Sequence, residues 1–90
     1  MPRINKSYST ARFRRNFASL PINIQKITTD KTFLFEENFL HPSLKTHKLK
    51  GALSNFWAFS VTKSYRVLFR FLKDSEVIYY NIATHDIYKK

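Results

Sequence analysis

Cysteine is absent from this 90-residue chain, which excludes disulfides and thiolate zinc sites and gives no sign of an oxidising compartment. Glycine occurs once, at Gly51, and proline three times, so each break they make has positional meaning. No apolar run approaches the ~20 residues of a membrane span, and the opening MPRINKSYST lacks the hydrophobic segment of a secretory signal. A cytoplasmic protein with no membrane partner is expected. Acid is also scarce, with six Asp plus Glu against sixteen Lys plus Arg, a net charge of +10.

What remains is enough to fold. The apolar fraction is 43%, with nine Phe, five Tyr and one Trp, which argues against wholesale disorder despite the charge. A chain this short buries only ~60% of its unfolded surface and cannot supply a second core, so residues 1–90 are read as one domain. The charge exceeds the roughly 2–8 units that keep a small domain soluble. It points to a polyanionic partner, either nucleic acid or an acidic protein segment, which gains affinity from counterion release or direct pairing.

The periodicity changes along the chain. INKSY alternates as a short edge strand, and Ser9 or Thr10 offers a helix N-cap. Phe13, Phe17 and Leu20 fall on one face of a first short helix, with Arg12, Arg14 and Arg15 toward water. Ser19, Leu20 and Pro21 break it and start a second helix, Pro21 suiting a first helical position. Ile24, Ile27, Leu34 and Phe35 form its apolar stripe, and it stops before Pro42. Residues 41–55 read as a polar connection pinned by Leu44, Leu49 and Leu53. FWAFSV, YRVLFRFL and EVIYYNIA then read as three strands joined by the short polar breaks TKS and KDS. The expected class is α+β: a short N-terminal strand, a two-helix hairpin, then a three-stranded antiparallel meander with both helices on one face of a twisted sheet.

Alternation in YRVLFRFL puts Tyr65, Val67, Phe69 and Phe71 under the helices and Arg66, Leu68, Arg70 and Leu72 on the opposite, open face. The stretch LKTHKLKGALSNFWAFSV leads toward that face with Lys45, His47, Lys48 and Lys50. These lysines, with Lys63 and Arg70, are candidate phosphate contacts. Phe56, Trp57 and Phe59 are read as core rather than as base-stacking platforms, and His41 as structural. Three scattered His with no Cys or acidic cluster offer no metal-ligand spacing, so neither a metal nor another cofactor is expected.

The order strand, two helices, three strands, with HKLKG at His47, FWAFSV at Phe56, YRVLFRF at Tyr65 and ATHDIY at Ala83, resembles the RelE/ParE toxin superfamily over nearly the whole chain. HKLKG and THDIY are its most specific parts. It looks closest to the RelE and YafQ-like branches, whose members cut messenger RNA on the ribosome. That resemblance implies a type II toxin, a ribosome-dependent endoribonuclease, with ribosome-bound mRNA and a cognate antitoxin as partners. It also implies catalytic roles for His47, His85, Arg66 and Tyr88. Histidine suits the proton steps near neutral pH, and an Arg fork can hold two phosphate oxygens. His85 and His47 would share the acid and base roles in attack by the 2′-hydroxyl, Arg66 would hold the phosphate, and Tyr88 would orient or donate. The sequence departs from the YafQ-like pattern at Ser60 and Ser64, where that branch often has His and Asp, and at Ala83, where many relatives have Gly. A ParE-like gyrase inhibitor and a catalytically inactive relative that binds only RNA or its antitoxin are the alternatives.

Overall fold

The structure is a computed structural model in which residues 2–84 are described. Strand β1 (Lys6–Ser9) leads into helices α1 (Ala11–Ala18) and α2 (Ile22–Glu37), followed by β2 (His47–Lys48), β3 (Trp57–Ser60), β4 (Tyr65–Leu72) and β5 (Glu76–Thr84). Single 3-10 turns at Pro42–Leu44 and Gly51–Leu53 flank β2. The five strands form one sheet in the order β1-β5-β4-β3-β2. β1 runs parallel to β5, and every other neighbouring pair is antiparallel. The expected α+β layering is therefore present, with one addition. The connection after α2 contains a two-residue edge strand, in which His47 pairs with Ala58 and Lys48 with Trp57.

Local chemistry sets the helix boundaries. Thr10 caps α1, its Oγ1 accepting from Phe13 N at 3.0 Å, which satisfies one of the free amide donors of the first turn. Pro21 is the N-cap of α2, one position before the first helical residue. Its missing N–H costs nothing there. Phe13, Phe17, Leu20, Ile27 and Leu34 all pack onto the core cluster. At the centre, fully buried Phe35 stacks on Phe59 with centroids 4.5 Å apart and meets Phe69 edge-on at 4.8 Å. Ring pairs at these separations add to the burial of their apolar area.

A bulge in β5 sets the sheet's second face. The register steps from Leu68↔Asn81 to Phe69↔Tyr79, so Tyr80 is the extra residue. Such an insertion lets Val77, Tyr79 and Ile82, of mixed parity in sequence, all reach the same core. The carbonyl of Tyr80 accepts from Thr10 Oγ1 at 2.7 Å, and Asn16 on α1 donates to Asn81 Oδ1 at 2.6 Å. Helix α1 thus supplies hydrogen bonds at the interrupted stretch of the ladder.

Candidate nucleic-acid interface

The residues of β4 divide between two faces. Tyr65, Val67, Phe69 and Phe71 belong to the helix-covered core. Arg66 and Arg70 lie on the other face, as the alternation requires. That face is partly filled. Leu68 is 7% exposed and Ala58 fully buried, yet neither belongs to the main core cluster. Phe56 lies here as well, which corrects its expected core position. Its ring meets Tyr80 edge-on at 4.8 Å, and the Arg70 guanidinium sits 5.8 Å from its centroid. Trp57 and Phe59 do pack in the core as expected. The difference is parity: Phe56 precedes the first strand residue and shares its side with Ala58.

Arg66 is held at the end of this face by its own hairpin. Its Nη1 donates to the carbonyls of Thr62 at 2.8 Å, Lys63 at 3.1 Å and Tyr65 at 3.2 Å. All three bonds use one nitrogen, so the other guanidinium nitrogens take no part in this clasp. The turn is rigid in its own right, because Thr62 Oγ1 accepts from the amides of Ser64 and Tyr65, both at 3.1 Å.

His47 shares the open-face register row of Ala58 and Leu68, while Arg66 shares the row of Ser60 and Ala83. Two strand spacings and two residues separate them, about 12 Å between Cα atoms by ordinary sheet dimensions. The His47 ring contacts the Lys45 carbonyl through Nδ1 at 2.8 Å. A carbonyl can only accept, so Nδ1 carries the proton and Nε2 is the basic nitrogen of the neutral ring.

A cleft of about 280 Å³ opens beside Arg66 where the β3–β4 turn approaches α2. Lys31, Lys45, Lys63 and Arg66 line it with Ser43, Ser60, Val61 and Thr62. Lys45 is the C-cap of the first 3-10 turn and holds a left-handed backbone at φ 51°. Of the other expected contacts, Lys48 falls by register in the row of Trp57, and Lys50 is the exposed N-cap of the second 3-10 turn. His41 does not line the cleft, and its Nδ1 holds the lining residue Ser43, accepting from its N at 3.2 Å and lying 3.0 Å from its Oγ. His85 and Tyr88 lie outside the described residues, and β5 is described to Thr84, opposite Tyr65.

Lys31, a lining residue of the cleft, is not among the contacts expected from the sequence, although a signal for it is present. It stands four residues after Ile27 and four before Phe35, on the helical spacing of the buried stripe. A half-buried lysine in that place breaks the amphipathic pattern of α2.

No protein-family model matches the sequence, and no curated protein is similar to it by sequence. Solved structures do match. A YoeB/ParE toxin from Agrobacterium tumefaciens superposes with a TM-score of 0.75 at 14% identity, over 89% of this chain and 98% of that one. A chain of the toxin–antitoxin complex RelBE2 from Mycobacterium tuberculosis gives 0.75 at 17% identity, over 94% and 100%. YafQ from Escherichia coli gives 0.66 at 13% identity, over 90% and 93%. With two helices on one side of a five-stranded, mostly antiparallel sheet, this chain has the RelE/ParE-like fold.

Proposed function

We propose that this protein is the toxin of a type II toxin–antitoxin pair and acts as a ribosome-dependent mRNA endonuclease. The observation that carries this reading is the end of the open sheet face, where Arg66 is clasped by its own turn carbonyls among the cations of the adjoining cleft. A guanidinium fixed in advance presents its donors to a phosphate with little reorganisation. His47, with its tautomer set by the Lys45 carbonyl, offers Nε2 as general base for the 2′-hydroxyl. Attack of that oxygen on phosphorus forms a 2′,3′-cyclic phosphate and expels the 5′-oxygen, which takes a proton from a general acid, here assigned to His85. Arg66 compensates the charge that builds on the phosphoryl oxygens, and Tyr88 orients the leaving group or donates to it. Lys45, Lys48, Lys50, Lys63 and Arg70 supply the potential that gathers the message.

The test is an in vitro translation reaction in which the 5′ ends of the message are mapped. Cleavage should fall about 10²–10³-fold for Arg66→Ala and about 10²–10⁴-fold for His47→Ala or His85→Ala. Thermal melts run alongside would establish that the variants remain folded. Unchanged cleavage in folded Arg66→Ala and His85→Ala would remove the proposed site. Intact messages together with blocked DNA supercoiling would favour gyrase inhibition instead.

A further inference from the structure

We propose that the cleft in which Lys31, Lys45 and Lys63 gather beside Arg66 is a phosphate subsite for single-stranded RNA, adjacent to the phosphate that Arg66 holds and dependent on Lys31. The inference deepens the proposed nuclease reading and rests on it for the identity of the polymer, but not for the presence of an anion site.

Three features of the cleft are costly without an anion. Four cations come from four separate places, namely α2, the C-cap of the Pro42–Leu44 turn, the β3–β4 turn and β4, and no carboxylate is among the lining residues. Like charges gathered this way repel one another. Lys31 spends a half-buried stripe position of α2, where a leucine would bury apolar surface instead. Lys45 is held at φ 51°, a conformation that non-glycine residues adopt at a penalty and that concentrates at functional sites.

The surroundings suit a phosphate rather than a metal or an apolar ligand. Ser60 and Thr62 add hydroxyls among the cations, whereas the Ser43 hydroxyl is taken by His41 Nδ1 at 3.0 Å. Thr62 Oγ1 accepts from two amides and keeps its own proton to donate. Val61 anchors one wall in the hydrophobic core, and the Ser43–Lys45 stretch is pinned by fully buried Leu44 between them. The cleft joins the open face, through Arg66, to the helix side, through Lys31. A strand lying along the open face therefore turns over the rim of the sheet here, and a phosphate flanking the scissile one meets the cleft.

The experiment measures binding of a 2′-deoxy oligonucleotide, which lacks the attacking hydroxyl, as a function of salt, and of inorganic phosphate by amide chemical shifts. Lys31→Gln should weaken oligonucleotide binding about 3–10-fold and reduce the salt slope by about one. Lys26→Gln, an exposed lysine on another face of α2 that does not line the cleft, should weaken it less than 2-fold. Lys31→Leu should bind as weakly as Lys31→Gln while melting at a higher temperature than wild type, because it relieves a charge held for binding. Inorganic phosphate that shifts the amides of residues 61–66 in wild type but not in Lys31→Gln would support the site. If phosphate does so while the oligonucleotide is insensitive to Lys31, the cleft takes a free phosphate and the RNA assignment is overturned. Equal effects of Lys31→Gln and Lys26→Gln would overturn the site, as would Lys31-dependent binding of an oligoglutamate peptide without such binding of the oligonucleotide. Arg66-dependent cleavage with no Lys31 effect would sink the subsite and leave the nuclease reading standing. Lys31-dependent binding without cleavage would do the reverse.

Discussion

Tyr79 links the sheet to α2 through one hydrogen bond, its hydroxyl donating to Glu36 Oε2. Burial first, and then the neighbouring Glu36 carboxylate, push the phenol far above its usual range. Below about pH 10 the hydroxyl is protonated in both folded and unfolded chains, so its contribution is fully present. Above that, the unfolded chain releases the proton while the folded one keeps it, so stability declines as pH rises. Tyr79→Phe should cost about 1–2 kcal/mol near neutrality. In urea titrations, the gap between wild type and variant should stay constant up to pH 9 and narrow above about pH 10. A gap that widened there would contradict this assignment. Glu36 and Tyr79 are 43 residues apart in the chain, and nothing in the sequence pairs them. Lys31 is the opposite case, because its departure from the stripe of α2 could be read directly. The parity of Phe56 could not be read from FWAFSV, where apolar residues are adjacent and either face would bury one of them.

Among the elements, the β4–β5 connection is three residues long, Lys73, Asp74 and Ser75, and Asp74 and Ser75 both hold positive φ, 58° and 61°. Glu76 N closes it on the Lys73 carbonyl at 3.2 Å, the type I′ geometry that matches strand twist. Asn5 fastens the turn from β1's side, donating from its backbone to Ser75 O at 2.8 Å and from Nδ2 to Asp74 O at 3.0 Å. Serine pays a left-handed penalty of about 1–2 kcal/mol, partly offset for glycine by greater freedom in the unfolded state. Ser75→Gly should therefore gain about 0.5–1 kcal/mol and raise the melting temperature by roughly 2–8 °C. A lower melting temperature would show that the serine side chain contributes more than its backbone strain costs.

The same hairpin was legible as KDS between two alternating runs, as were both helices, from their spacing and breaks. The bulge was not. In EVIYYNIA, Ile78, Tyr79 and Tyr80 are consecutive large residues, so the sequence carries no mark of where the parity changes. Nor was β2, because two residues are too few for a period and His47 and Lys48 lack the β-branched or aromatic character of a strand. The site residues were legible as types, but their separation was not, since it depends on register between strands that the sequence does not align.

For the molecule as a whole, acidic and basic residues are divided between the two ends of the sheet's central strand. Acidic residues stand mainly on α2, at Asp30, Glu36 and Glu37, and beside the β4–β5 turn, at Asp74 and Glu76, while the lysines of the candidate interface surround the other end of β4. The proposed antitoxin is thus expected to bring an acidic or amphipathic segment to the open face. Co-purification with the product of an adjacent gene should give a tight complex in which Arg66 or Arg70 is protected from arginine-directed labelling. Labelling of both residues at the free protein's rate would refute that arrangement. No helix among the described residues is long and apolar enough to cross a membrane.

The parallel pairing of β1 with β5 has a further consequence, in time rather than in space. Lys6 finds its register partner only at Glu76, so the first strand made must wait for the last, roughly 4–14 s at about 5–20 residues per second of synthesis. Until then one rim of the growing sheet has no neighbour. The finished surface therefore emerges late in the life of the nascent chain, and a binding partner already at hand would meet it as it forms.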